Sequence, residues 1–193
     1  MTQHPLRALV LALVLTLGLG ALVLAGLRSS GEASAVPGLT FLPGPSEPAV
    51  DDAARSEGDL EDRTVDVDAD EPAVARLDPA LRKAVRAAAA AAAEEGVEVR
   101  LNSGWRSPAY QERLFDRALV KYGSQEEALR WVATPETSSH VTGDAVDVAP
   151  TAAAYWMSQH GDRFGLCQAY ANEIWHYELL TEPGGTCPDA QVR

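Results

Sequence analysis

The sequence predicts an α+β domain, a small, mainly antiparallel sheet with helices packed against it. Two observations carry this. Short stretches of strand-like alternation are separated by helical stretches, and the helical stretches open on capping residues and close on glycine. A third observation sets the limits of the domain. Regular patterning concentrates after residue 76, which divides the chain into segments 1–28, 29–75 and 76–193.

Segment 1–28 holds an apolar or small run of twenty residues, 8–27, flanked by Arg7 and Arg28. That length spans a bilayer as a helix. It is also compatible with an export signal cleaved near Ala35, because Ala33-Ser34-Ala35 has the small-x-small pattern. A buried core helix is the third reading, and it lacks a polar face to show solvent. Anchor and signal both place the remaining chain outside the cytoplasm. Segment 29–75 reads as a linker. Pro37, Pro43, Pro45 and Pro48 interrupt it, and residues 47–71 carry eleven Asp or Glu against two Arg. Within it, Val65 and Val67 alternate with Asp66 and Asp68, which permits a short strand. The formal net charge of -12 excludes a nucleic-acid partner, which would need a basic footprint.

In the domain, Asp78-Pro79 starts a helix that runs through the alanines 87–93 and stops at Gly96. Val97, Val99 and Leu101 then alternate with polar residues as a half-buried strand ending at Ser103-Gly104. Ser107-Pro108 opens a second helix, which closes at Gly123, and Ser124 with Glu127 forms a capping box for a third. Residues 134–142 read as loop. Ala145, Val146 and Val148 make a short strand with Asp147 inside it, residues 152–160 a helix, and 174–180 the last strand. Cys167 and Cys187 are the only cysteines. Outside the cytoplasm a disulfide between them is the natural expectation, with free thiols or metal ligation as the alternatives.

Two of the four histidines stand where chemistry would need them: His140 before a strand, and His176 inside one. Asp147 lies between them in sequence. A carboxylate in an apolar strand needs a cation or donors. Two imidazoles and a carboxylate are a hydrolytic zinc set with one position left open. A core Asp–Arg pair with two ordinary histidines remains the alternative. Glu173, three residues before His176, suits a general base if it sits at a bend, which Asn172 favours. Arg106, between a strand and a helix, suits recognition of a carbonyl or carboxylate.

Three separated motifs carry a resemblance. They are Ser103-Gly104-Trp105-Arg106-Ser107 with Gln111, then Ser138-Ser139-His140-Val141-Thr142-Gly143-Asp144-Ala145-Val146-Asp147, then Glu173-Ile174-Trp175-His176. Together they resemble the VanY-type D-alanyl-D-alanine carboxypeptidases, zinc D,D-peptidases that share the hedgehog signalling-domain fold. The resemblance covers roughly 77–180. It implies one zinc ion held by His140, Asp147 and His176, with Glu173 catalytic and Arg106 steadying substrate and oxyanion. It also implies that Gln111, Ser138, Trp105 and Trp175 line the pocket. Trp105 stands where the family more often has Tyr, and Ile174 where Pro is common. The implied reaction is removal of the terminal D-Ala from peptidoglycan stem peptides ending in D-Ala-D-Ala, by a monomer outside the cytoplasm. A wall endopeptidase, a D,D-dipeptidase and a non-catalytic wall-binding module are the alternatives.

Overall fold

The structure is a computed structural model that describes residues 50–193. The apolar run 8–27 and residues 29–49 of the expected linker lie outside the described residues. Among the described residues no helix is long and apolar enough to cross a membrane. A five-stranded antiparallel sheet organises the domain, in the order β1-β2-β3-β5-β4. Its strands are β1 (Val65–Asp66), β2 (Arg100–Ser103), β3 (Ala145–Ala149), β4 (Leu166–Gln168) and β5 (His176–Leu179). The fold class expected from the sequence is the one observed.

The helices begin and end where their capping chemistry dictates. In α3 (Pro79–Glu94) the Asp78 carboxylate accepts from the amides of Ala80 and Leu81. Leu81, Val85, Ala88 and Ala92 form its buried stripe, and the two alanines let the helix lie close on the core. In α4 (Pro108–Tyr122) the Ser107 side chain caps the amide of Tyr110, and Gly123 terminates the helix in the left-handed region at φ 78°. Ser124 caps α5 (Gln125–Leu129). Helix α7 (Thr151–His160) covers the sheet and continues into a 3-10 turn, Gly161–Phe164.

Three expectations need correction. The linker does not extend to residue 75. Helix α1 (Val50–Ser56), strand β1 and helix α2 (Pro72–Ala75) belong to the fold, and Leu60, Val65, Val67, Ala73 and Val74 enter the main core. The acidic side chains of Asp66 and Asp68 point outward and Val65 and Val67 inward, so the short strand that this alternation permits is present, as part of the fold rather than of a linker. Residues 134–142 are not all loop, because Ser139–Thr142 forms a one-turn helix, α6. Strand β2 ends at Ser103 as expected but begins at Arg100 rather than Val97, although Val99 is buried.

Strand periodicity divides the sheet into a core face and an open face. On β3, Val146 and Val148 enter the core while Asp147 points the other way. On β5, Tyr177 lies in the core while His176 and Glu178 share the opposite face. Register then aligns Ser103, Asp147 and His176 in one row across β2, β3 and β5. At the far edge, the disulfide Cys167–Cys187 joins β4 to the segment after β5, as expected.

Candidate active site

The turn between β2 and α4 is held amide by amide. Trp105 N donates to Ala73 O (2.8 Å), Arg106 N to His140 O (3.1 Å), and Ser107 N to Glu57 O (2.8 Å). A Cβ on Gly104 would lie 2.2 Å from Ala73 O, so only glycine allows this approach. The outcome is a fixed Arg106 guanidinium. Its Nε donates to Ser103 Oγ (2.8 Å), Nη1 to Gln111 Oε1 (3.1 Å) and Nη2 to Asp147 Oδ2 (2.9 Å). Gln111 is itself tied through Nε2 to Ala133 O at 2.8 Å. The Asp–Arg pair considered from sequence therefore exists alongside the imidazole cluster rather than instead of it.

His140 from α6, Asp147 from β3 and His176 from β5 are buried and converge. His140 Nε2 is 3.2 Å from His176 Nδ1 and 3.4 Å from Asp147 Oδ1, and His176 Nδ1 is 3.2 Å from Asp147 Oδ1. A tetrahedral zinc with bonds of about 2.0–2.1 Å separates its ligand atoms by roughly 3.3–3.4 Å, so the three atoms fit one face of such a site. Each ligand has an outer partner that fixes its orientation. His140 Nδ1 donates to Gly104 O (2.8 Å), which leaves the Nε2 lone pair facing inward. His176 Nε2 donates to Glu178 Oε1 (2.9 Å), which also accepts from Ser139 Oγ (2.7 Å). Arg106 holds the outer oxygen of Asp147.

Charge follows this geometry. Burial, reinforced by Arg106, lowers His140 to about 4, so it is neutral at pH 7. Burial also opposes the charged form of His176, but the carboxylates of Asp147 and Glu178 outweigh it and raise the group to about 9. Burial resists ionisation of Asp147 as well, yet the imidazoles and Arg106 hold it well below the usual carboxylate range. Burial dominates at Glu173 and pushes its carboxyl up, despite Arg193 and His176 nearby. Glu173 sits in consecutive turns, with its N donating to Tyr170 O (3.1 Å) and its O accepting from His176 N (3.1 Å), the bend expected before the last strand. Glu173 Oε2 is 3.7 Å from His176 Nδ1.

These groups line a cleft of about 180 Å³ that also includes Gln111, Ser138 and Trp175. Trp105 is not in it. Its ring lies beneath the Arg76 guanidinium, 4.3 Å away, because it precedes Arg106 on a tightly held turn and faces away from the cleft. The pocket role expected of Trp105 is therefore withdrawn. Sequence reasoning missed Glu178, which shares a strand face with His176 at a spacing of two. It also missed Trp131 and Arg193, which reach the cleft through tertiary structure alone.

Residues 74–183, more than half of the chain, match the family profile described as VanY, D-alanyl-D-alanine carboxypeptidase. A D-alanyl-D-alanine carboxypeptidase of Enterococcus faecalis is 29% identical over 115 residues, 47% of this chain and 43% of the relative. The chain thus spans less than half the length of that curated relative. Two solved structures superpose at a TM-score of 0.50 with 26% identity. One is a mutant of the vancomycin resistance D,D-pentapeptidase VanY from a VanB-type cassette, in complex with Zn(II), matched over 54% of this chain and 72% of that one. The other is VanYB in complex with D-alanine-D-alanine, matched over 53% and 70%. The disulfide and a cell-wall enzyme family both fit an extracytoplasmic location. On the strength of the profile match, the chain belongs to the VanY D-alanyl-D-alanine carboxypeptidase family.

Proposed function

We propose that this protein is a zinc-dependent D,D-carboxypeptidase that removes the terminal D-Ala from peptidoglycan stem peptides. The observation that carries this is the triangle of His140 Nε2, Asp147 Oδ1 and His176 Nδ1, 3.2–3.4 Å on a side, in one cleft with Glu173. Two relatives, one with Zn(II) and one with D-alanine-D-alanine, support the metal and the substrate class. Held by these three residues, zinc would supply Lewis acidity that acidifies a water and polarises the scissile carbonyl. Glu173 takes a proton from the attacking water and returns it to the departing D-Ala nitrogen. Its raised carboxyl suits both halves of that exchange. Arg106 spends three of its five N–H groups on Ser103, Gln111 and Asp147, and the others serve the developing oxyanion. Ser138 and Trp175 shape the wall against which the peptide lies.

The apolar run 8–27 would keep the enzyme at the outer face of the membrane, or release it after cleavage near Ala35, as a monomer in either case. The test is D-Ala release from a pentapeptide ending in D-Ala-D-Ala. The zinc-loaded chain should release D-Ala, and Glu173→Gln should lower kcat by about 10²–10⁴-fold while retaining one zinc per chain. Turnover by Glu173→Gln near the parent rate refutes the assignment of the base. Mass spectrometry of products from purified muropeptides separates this reading from an endopeptidase.

A further inference from the structure

The segment after the disulfide returns to the cleft. From Cys187 it runs beside residues 169–171, where Gln191 N donates to Ala169 O (2.8 Å) and Ala171 N to Gln191 O (2.8 Å). This parallel pairing of Tyr170 with Gln191 delivers Arg193 to the cleft wall. The Arg193 guanidinium lies 3.6 Å over the Tyr170 ring, and that ring also packs on His176, 5.1 Å between centroids. Arg193 Nη1 is 3.4 Å from Glu173 Oε1. Oε1 is buried and has no hydrogen-bond partner among the described residues, so this cation is its charge contact. Oε2, the other oxygen, faces His176 Nδ1.

We infer that Arg193 is a positioning residue of this site. Its guanidinium, stacked on Tyr170 by the disulfide-closed segment, holds Oε1 of Glu173 so that Oε2 faces the imidazole cluster. The inference rests on the carboxypeptidase reading. The disulfide and the backbone pairing secure the segment without any guanidinium. A cation placed over the base is therefore not needed to fold the segment. A buried carboxylate without a partner is costly, and one free to rotate aims neither oxygen steadily at the reacting water. Stacking on an aromatic face fixes the direction of the guanidinium, which a bare ammonium would not do as well.

The test uses the zinc-loaded full chain. Arg193→Met should lower kcat about tenfold or more with KM within about twofold, and Arg193→Lys should recover part of the loss. Zinc stoichiometry and circular dichroism should match the parent. A readout independent of turnover is the double-mutant cycle of Arg193→Met with Glu173→Gln in chemical denaturation. It should show a coupling of at least about twofold in the unfolding constant. Additive effects in that cycle overturn the inference by themselves, whatever the activity. Coupling with an unchanged kcat in Arg193→Met also overturns it. A parent chain that turns over no wall peptide, with the coupling intact, instead brings down the carboxypeptidase reading and the role that rests on it.

Discussion

Glu178 provides the sharpest quantitative test of the metal centre. Its Oε1 accepts from His176 Nε2 at 2.9 Å and from Ser139 Oγ at 2.7 Å. Burial works against its charge, but these donors outweigh burial and hold the carboxyl below its ordinary value. Glu178→Ala removes the acceptor that fixes the His176 ring and ties α6 to β5. A hydrogen bond to a charged group contributes about 1.5–3 kcal/mol, and loss of an outer partner of a metal ligand costs about 10–100-fold in affinity. The two ranges agree, since about 1.4 kcal/mol is a factor of ten. The same carboxylate also favours a proton on His176, so near pH 7 its loss makes that proton easier to displace. The full effect should appear only near pH 9, with a smaller one at pH 7. Competition for zinc against a chelator at both pH values measures it, with Glu178→Gln expected between parent and Ala. Zinc affinity within twofold of the parent at both pH values would refute the reasoning.

Two other outcomes follow from the same geometry. Zinc must displace the proton of His176, which is raised to about 9, while His140 at about 4 and Asp147 are already deprotonated at neutral pH. Metal binding therefore releases about one proton below pH 9, and apparent zinc affinity should rise about tenfold per pH unit from pH 6 to 9, then level off. An affinity flat over that window, in a chelator titration, contradicts the assignment. The disulfide closes a loop with a sequence separation of 20, which corresponds to about 3 kcal/mol by chain entropy. Cys167→Ala with Cys187→Ala should lower Tm by roughly 6–12 °C in calorimetry, and an unchanged Tm would show that the segment is held by other contacts.

The candidate metal ligands were legible because residue type and motif both constrain them. A lone Asp in an apolar strand demands a cation or donors, which a core Asp–Arg pair would also have met, and the resemblance of the three motifs decided for a metal. The helix boundaries were legible for a similar reason, since Asp78, Ser107, Ser124 and Gly123 act within one turn of where they stand. Glu178 was available in principle, two residues beyond His176 on the same strand face, but a half-buried Glu carries no mark without its partner. Arg193 was not available, because its place depends on a disulfide and on the parallel pairing of Gln191 with Tyr170, far back in the sequence. Trp105 misled because neighbouring residues at a strand end face opposite sides. The acidic stretch misled because its charge outweighed the one alternation that was read in it, Val65 with Val67, and because Leu60 and Val74, which also fold it, stand outside any periodic pattern.

The carbonyl of Glu57 and the carbonyl of Ala73 grip the turn that aims Arg106. The arm leading back toward the N-terminus is thus also a collar around that turn, and β1 shields the outer edge of β2. Trimming the chain to begin at Leu77, a natural choice for anyone seeking a smaller enzyme, would bare that strand edge and loosen the collar together. The region that looks most disposable is one on which the aim of the site depends.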